Sequence, residues 1–444
     1  MPLLTQDEAQ ALLKKVLSYS KADECEINLT GTITGNIRYA RNSVSTSGGI
    51  STNTLVVSSA YGKKLGVATI NEFDDASLEK VVRRAEELAQ LAPENPEFVS
   101  FLGPQKYAEP VMFVPATAAI TPKQRADAVA QSLQVAKDTK TVAAGFMEDT
   151  TTMNAMMNSK GLFAYNTSTG VNFSITMRTE DGKGSGYATR GYNDFTKLDT
   201  KKASQIAADK GLKSATARAI EPGKYTVILE PAAAAVLLEN IFFGLDARQA
   251  DEGRSFLSQP GGKTRLGEKL VDERVNMYSD PLNPELPTST WAGDGRPQEK
   301  VSWIEKGVIK NLTYSRYWAE KKGVKAIPGP DGVIMEGGTK SLEELIKGTK
   351  KGILVTRLWY IRPVDPQTLL LTGLTRDGTF YIENGEIKFP IKNFRFNESP
   401  VIMLNNLEEL GKVERTVSVE SNVNYLIPPM KIRDFTFSSL SDAV

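Results

Sequence analysis

The side chains available limit the chemistry of this chain at the outset. Its 444 residues contain no histidine and one cysteine, Cys25. Without imidazole there is no Ser-His-Asp or Cys-His activation of a nucleophile and no zinc site with histidine ligands. A lone cysteine also excludes a disulfide within the chain. Any catalysis must therefore use carboxylates, lysine, tyrosine or a cofactor.

The remaining polar clusters carry weak signals. Ser255 and Lys263 lack the helical register that a Ser-Lys nucleophile needs. Gly262-Lys263-Thr264 lacks the earlier glycine of a phosphate-binding loop, and Gly182-x-Gly184-x-Gly186 continues into a strand, so both are predicted to be turns. Four acidic residues could offer oxygen ligands to Mg²⁺ or Ca²⁺, but their spacing fits no EF-hand and favours solvated loops: Asp246, Asp251, Glu252 and Asp272.

Two segments near the carboxyl end alternate apolar residues with arginine and asparagine. Residues 360–366 and 393–399 have the pattern of half-buried strands with one polar face. One interpretation leaves that face in solvent. The other makes it a groove wall where Arg362, Arg395 and Asn393 bind carboxylate or main-chain groups of an extended peptide. We take these three as candidate substrate-binding residues.

The elements that would position these groups fall into two halves. In the first, a helix, short strands and a second helix occur in that order and recur about 120 residues later. We predict an α+β N-terminal domain, residues 1–218, built from a duplicated unit (1–100 and 120–218) of helices and antiparallel strands. After a break at 219–223, short strands alternate with Asp-Gly and Asn-Gly turns. We predict that 219–444 form a mostly antiparallel β domain, either barrel-like or a sandwich.

Composition and charge are those of an ordinary globular protein. Hydrophobic residues make up 40% and charged residues 24%, and the net charge of +1 gives no electrostatic reason to expect direct nucleic-acid binding. No apolar run approaches the roughly 20 residues that cross a bilayer, and the first residues lack a signal-peptide pattern. We expect a cytoplasmic protein that does not act at a membrane.

Several segments together resemble the TldD/PmbA family, historically labelled modulators of DNA gyrase. The resemblance is most specific at Leu358–Pro363, Thr372–Phe380, Ile382–Gly385 and Lys392–Phe396, extends to Pro429–Thr436 and covers essentially the whole chain. It implies a two-domain protein. For the TldD-like members it also implies a zinc peptidase whose helix carries His-Glu-x-x-x-His, with a later cysteine completing the metal site.

Matching that helix to this sequence implies that the metal ligands are absent. Leu238 and Phe243 occupy the two histidine positions, Glu239 occupies that of the glutamate, and Cys25 lies in the wrong domain. We expect no metal or other cofactor and no activity of this chain alone. We expect Glu239 to be an exposed helix residue or one end of a salt bridge rather than a catalytic group.

The pattern is similar to the metal-free TldE/PmbA subunit of the family. It implies a non-catalytic subunit that joins a TldD-like metallopeptidase in the proteolysis of unfolded peptides, as a homo- or heterodimer. Two alternatives stay open. One is a homodimeric peptide-binding protein without a protease partner, and the other is a peptidase that works without histidine through tyrosine, lysine or carboxylates.

Overall fold

The computed structural model describes residues 3–441 of the chain. As far as residue 213, helices alternate with groups of antiparallel strands. Their bounds are α1 Gln6–Ser18, β1 Glu24–Ala40, β2 Ser43–Tyr61, β3 Lys64–Ile70, α2 Asp75–Leu91, α3 Pro115–Ala118, α4 Pro122–Asp138, β4 Thr141–Asn158, β5 Phe163–Thr179, β6 Ser185–Tyr192 and α5 Thr200–Lys213, with a 3₁₀ turn at Phe195–Lys197.

The strands of this half form one sheet, whose order reflects an internal duplication. The order is β3-β2-β1-β4-β5-β6, so β1 and β4 meet antiparallel at the centre and each unit extends outward from them. Thr32 faces Thr152 near the middle of the central ladder. Helices α1 and α2 cover one end of a sheet face, and α4 and α5 cover the other end of the same face. The predicted duplication of a helix and strand unit is confirmed.

Matching sequence signals begin the first helix of each unit. Thr5 N donates to Glu8 Oε2 at 2.8 Å, and Glu8 N donates back to Thr5 Oγ1 at 3.4 Å. Thr121 and Gln124 make the same reciprocal pair at the start of α4, at 2.9 and 3.2 Å. Each capping box satisfies main-chain N–H groups that the helix itself leaves without partners.

Strand β1 is longer than the sequence indicates. We expected short strands separated at glycines, whereas β1 runs unbroken for 17 residues. A Cβ on Gly31 would lie 2.7 Å from Asn53 Oδ1, and one on Gly35 would lie 2.1 Å from Arg125 Nη1. The glycines therefore allow neighbouring side chains to approach the strand closely and do not mark turns.

From residue 223 onward strands dominate. The bounds are β7 Gly223–Leu229, α6 Pro231–Phe243, α7 Ala247–Asp251, β8 Ser258–Gln259, β9 Lys263–Thr264, β10 Met277–Ser279, β11 Val301–Glu305, β12 Val308–Ile309, α8 Arg316–Lys322, β13 Val333–Met335, α9 Leu342–Lys347, β14 Lys351–Asp365, β15 Leu370–Glu383, β16 Glu386–Pro390, β17 Phe394–Glu398, α10 Pro400–Asn405, β18 Leu407–Leu410, β19 Glu414–Val417, β20 Asn424–Ile427 and β21 Met430–Leu440.

Five of these strands close into a barrel. The ladder runs β14-β7-β21-β17-β15 and returns to β14 through a direct β14–β15 pairing. Phe394 and Phe437 stack in its core with ring centroids 4.7 Å apart. Strand β16 extends β15 across the predicted hairpin turn, where Asn384 and Gly385 both have positive φ. The prediction of a mostly antiparallel, barrel-like second half is confirmed.

A second six-stranded sheet, β12-β11-β10-β13-β20-β19, shares a hydrophobic core with the barrel. Helix α6 contributes to that core. At the predicted domain boundary, Arg218 forms a parallel bridge with Ile391 beside the barrel, and a division of the chain near residue 218 stays a prediction. Within residues 3–441, no helix is both long and apolar enough to span a membrane.

Candidate functional site

Helix α6 carries the three residues that the family resemblance singles out. Pro231 at its first position and the alanines that follow favour helix, and the side chains that come after are apolar on nearly all sides. Leu238 is fully buried, whereas Phe243 in the last turn has 67% of its surface exposed. Neither side chain has an atom that can ligate zinc. Both positions therefore present hydrocarbon.

The described part of the chain offers no substitute set of metal ligands. Between residues 3 and 441, no group of three or more cysteine, aspartate or glutamate side chains lies close enough together to hold an ion. The four acidic residues considered as metal ligands in the sequence have other partners. Asp246 caps α7, Asp251 pairs with Lys322, Glu252 pairs with Arg248, and Asp272 pairs with Arg274. Their carboxylates are therefore engaged in local structure.

The other weak motifs are also structural. Gly262 and Gly182 have positive φ and lie in turns between paired strands, as predicted. The hydroxyl of Ser255 donates to the carbonyl oxygen of Gly244 at 3.2 Å, which holds the loop after α6.

Glu239 lies inside the protein. Its exposed fraction is 3%, and its Oε2 accepts a hydrogen bond from Ser421 Oγ at 2.8 Å. The hydroxyl groups of Ser418 and Tyr425 lie close enough to the carboxyl group to affect its pKa. Because these partners are neutral hydroxyl groups, the expectation of an exposed or salt-bridged residue is wrong.

Burial controls the protonation of this cluster. Desolvation raises the pKa of Glu239, and the hydroxyl groups of Ser418, Ser421 and Tyr425 oppose that rise by stabilising the ionised form. Burial also raises the pKa of Tyr425, and the charge of Glu239 adds to the effect. A raised pKa suits general acid or base catalysis, but here the oxygen atoms are engaged by the chain's own side chains.

The loop of residues 418–423, which connects β19 and β20, covers Glu239. Ser418 N donates to Val423 O at 2.9 Å, which closes the loop on itself. Glu420 Oε1 accepts from Tyr360 N at 3.0 Å and so fastens the loop to β14. Tyr360 has a φ of 58°, in the left-handed region, at a point where the β14–β15 register shifts. The chain thus places its own loop over the carboxyl group.

A polar cleft runs between this loop and the sheet face that the helices leave uncovered. One cavity of about 420 Å³ is lined by residues of β4, β5 and β6 together with Arg357 and Ser418. A second cavity of about 390 Å³ continues along the same face, and Asn422 lines both. About half of the lining residues carry amide or hydroxyl groups, which can bond both the N–H and the C=O groups of a main chain.

Two arginines that sequence reasoning missed line the cleft. Arg357 Nη1 donates to Asp377 Oδ2 at 2.7 Å, and its guanidinium lies 4.1 Å from the Tyr187 ring centroid. Arg415 Nη2 donates to Asn193 Oδ1 at 2.9 Å. The contacts of Arg357 with Tyr187 and of Arg415 with Asn193 join segments far apart in sequence, so no local pattern indicated them.

The two predicted arginines lie together on the exposed outside of the barrel. Arg362 pairs with Thr372 in the β14–β15 ladder, and Arg395 Nη1 donates to Thr372 Oγ1 at 3.5 Å. The guanidinium of Arg362 stacks on the Tyr360 ring at 4.1 Å from its centroid. The two cations therefore flank one threonine and are open to solvent.

Asn393 lies at a different place, in a cavity of about 300 Å³ where the two halves of the chain meet. Its Oδ1 accepts from Thr375 Oγ1 and Thr379 Oγ1, each at 3.2 Å. In the same cavity Ser185 Oγ donates to Asp377 Oδ1 at 2.6 Å, which links the first sheet to the barrel. The structure thus brings together two of the three predicted substrate-binding residues and separates the third.

The chain matches three consecutive domains of one protein family. These are PmbA/TldA metallopeptidase domain 1 over residues 25–89, the central domain over 117–215 and the C-terminal domain over 222–439. The chain belongs to the PmbA/TldD family. The family resemblance predicted from the sequence is confirmed.

Relatives in the PmbA/TldD family share about a quarter of their residues with this chain. Uncharacterized protein MJ0231 of Methanocaldococcus jannaschii is 24% identical over 375 residues, which are 79% of this chain and 84% of that protein. Metalloprotease PmbA of Escherichia coli O157:H7 is 25% identical over 173 residues, 38% of this chain and 37% of its own. The crystal structure of TldE from Thermococcus kodakarensis has 21% identity and a TM-score of 0.86, covering 97% of this chain and 99% of that one. At such identity the likeness shows a common fold.

Proposed function

We propose that this chain is a non-catalytic subunit of a TldD-type zinc metallopeptidase complex that acts on unfolded peptides. The proposal is supported by the chemistry of α6, where Leu238 and Phe243 stand at the positions that the family resemblance assigns to zinc ligands. Glu239 has no metal-bound water to act on and is hydrogen-bonded to Ser421 of the same chain. Membership of a metallopeptidase family and the fold shared with a TldE support the subunit role.

The zinc would come from a TldD-like partner. A protein named zinc metalloprotease TldD homolog, from Saccharolobus solfataricus, is 24% identical over 225 residues, 45% of this chain and 46% of its own. We propose that the two subunits form a dimer and that Phe243, apolar and exposed at the end of α6, contributes to its interface. The single cysteine is buried, which suits the reducing cytoplasm that we propose as the location.

The contribution of this subunit would be to hold the substrate in an extended form. The hydroxyl and amide groups of the cleft suit any main chain, irrespective of side chains. Arg362 and Arg395 would bind carboxylates of the same peptide on the outside of the barrel. Asn393 would contact a chain that enters the junction between the two halves.

The test compares cleavage of an unstructured, fluorescence-quenched peptide by the purified chain, by its complex with a His-Glu-x-x-x-His partner, and by that complex with a zinc chelator. We expect no turnover by the chain alone and chelator-sensitive turnover by the complex. Glu239→Gln in this subunit should leave the turnover of the complex within about twofold, because glutamine keeps a carbonyl acceptor for Ser421 and the residue touches only its own chain. The same change in the partner's metal motif should abolish turnover.

Three outcomes would contradict the proposal. Chelator-sensitive cleavage by the chain alone would show that it holds its own metal. Cleavage by the chain alone that resists the chelator would favour a histidine-free peptidase. Tight binding of unfolded peptides by a homodimer that associates with no metallopeptidase would favour a peptide-binding protein.

A further inference from the structure

The second cavity of the cleft contains a cation that the protein leaves without a counter-charge. Arg415, on β19, is partly buried and lines this cavity of about 390 Å³. Nη1 donates to the main-chain oxygen of Glu285 at 2.5 Å, and Nη2 donates to Asn193 Oδ1 at 2.9 Å. Both acceptors are neutral. Nε has no hydrogen-bond partner.

Nearby carboxylates do not neutralise Arg415. Within the described residues 3–441, no carboxylate oxygen lies within the 4.0 Å of an ion pair with it. The side chain of Glu285 instead pairs with Lys197 at 3.3 Å. Asp331, which lines the same cavity, accepts from Ser289 N at 3.1 Å. An enclosed charge without a partner is costly, and native proteins seldom retain one without a use for it.

The surroundings of Arg415 are fixed. Asn193 Nδ2 donates to Thr169 O at 3.0 Å, which turns its Oδ1 toward the guanidinium. The Tyr192 ring lies 5.8 Å from the guanidinium carbon and supports it from one face. Desolvation lowers the pKa of Arg415 to about 10, and the nearby charge of Glu285 opposes that shift only in part. Even so, the side chain is a cation at neutral pH.

We infer that Arg415 binds a carboxylate group of an extended peptide held in the second cavity of the cleft. Arginine offers five N–H donors in a planar arrangement that matches two carboxylate oxygens, and the protein's own bonds use only two of them. Asn424, on the neighbouring strand β20, has an Oδ1 without a partner and lines the same cavity, so an acceptor for a peptide N–H lies there too. The inference rests on the proposed role of the cleft and names the chemical group that the cleft selects.

Two kinds of peptide carboxylate could occupy the site, the chain terminus and an acidic side chain. The test uses isothermal titration of the purified chain with three forms of one glycine- and serine-rich heptapeptide. All three forms are acetylated at the amino terminus; one has a free carboxyl terminus, the second is amidated, and the third is amidated with one internal glutamate. We expect the amidated, uncharged form to bind at least about tenfold more weakly than one of the other two, since a hydrogen bond to a charged group contributes about 1.5–3 kcal/mol. The tighter form identifies the source of the carboxylate.

Two variants distinguish binding at Arg415 from the effect of the protein's overall charge. Arg415→Met should remove the difference in affinity between the peptides that carry a carboxylate and the peptide that carries none. Arg84→Gln is the matched control, because Arg84 is an exposed arginine on α2 that pairs with Glu87, and it should keep the full difference. Arg415→Met should remain folded under the conditions of the titration, which urea unfolding checks, because the loss of two hydrogen bonds is offset by the removal of a partly buried charge. The loss of discrimination then cannot be ascribed to unfolding.

The inference is overturned if the three peptides bind equally, if none binds, or if Arg415→Met keeps the discrimination. These results concern peptide binding by the isolated chain. The proposed subunit role is tested by turnover of the complex and by zinc dependence, so each can fail while the other stands.

Discussion

Replacing Glu239 by alanine should destabilise the carboxyl half of the protein by about 2–4 kcal/mol. The change removes the acceptor of the Ser421 hydroxyl group and the carboxyl group whose charge the hydroxyl groups of Ser418 and Tyr425 also stabilise. A polar group left without a partner in the interior costs about 1–3 kcal/mol. The cavity of about 420 Å³ beside the loop can supply water to part of the cluster, which keeps the total below three full penalties.

Glu239→Gln isolates the effect of charge, because glutamine keeps a carbonyl acceptor and cannot ionise. The pKa of Glu239 is raised by burial above its ordinary value of 4.5, so the folded protein holds this proton more tightly than the unfolded chain. The stability gained in this way is complete below the unfolded pKa and is lost as pH rises through the folded pKa. The free energy of unfolding of Glu239→Gln, relative to that of the wild type, should therefore rise above about pH 4.5 and then level off. The total rise should be about 1.4 kcal/mol for each unit by which the folded pKa exceeds the unfolded one.

Urea unfolding followed by tryptophan fluorescence from pH 4 to 8 measures both effects. All four tryptophans lie between Trp291 and Trp359, so the signal reports on the half that contains Glu239. Glu299→Ala is a control in the same half, because that glutamate is exposed and pairs only with Lys325. An alanine variant within about 0.5 kcal/mol of the control, or a glutamine variant whose advantage falls with pH, would refute the account of this cluster.

Three further results are expected. Leu238→Ala should cost about 2–5 kcal/mol in denaturant unfolding and Phe243→Ala about 0.5 kcal/mol or less, because the first is buried and the second exposed; equal costs would contradict the assigned packing. Asp149→Ala should lower the free energy of unfolding by about 3–5 kcal/mol, because it leaves the buried Arg125, 2.8 Å away, without its ion-pair partner. The double variant Arg125→Met/Asp149→Leu should recover most of that loss. Dialysis against a zinc chelator should leave the thermal midpoint unchanged in calorimetry, and a fall of several degrees would reveal a structural metal.

Much of the fold could be predicted because its signals are local. Thr5 and Glu8 form the expected capping box, and Asn384-Gly385 forms the expected hairpin turn. The recurrence of helix and strand patterns indicated a duplicated unit, which the symmetric strand order confirms. The unbroken length of β1 was not predicted, because glycine is common in turns. Gly31 instead lies within the strand, where neighbouring side chains pack closely against it.

The environment of the candidate site could not be predicted, because distant segments create it. Glu239 is bonded to Ser421, 182 residues further along the chain, and the sequence around α6 gives no indication of that loop. Arg415 is positioned by Asn193 across the two halves. The alternating pattern around Arg362 predicted correctly that the arginine is exposed on a barrel strand. Such a pattern gives the burial of a residue but does not show what lies opposite its exposed side.

The central pairing of β1 with β4 affects how the protein is made. Strand β1 ends at Ala40 and β4 begins at Thr141, so the ribosome must add the residues between them before the pairing can form. At about 5–20 residues per second, β1 waits roughly 5–20 s for the strand that completes the sheet. Throughout that interval β1 has an unpaired edge, where another unfinished chain could add a strand.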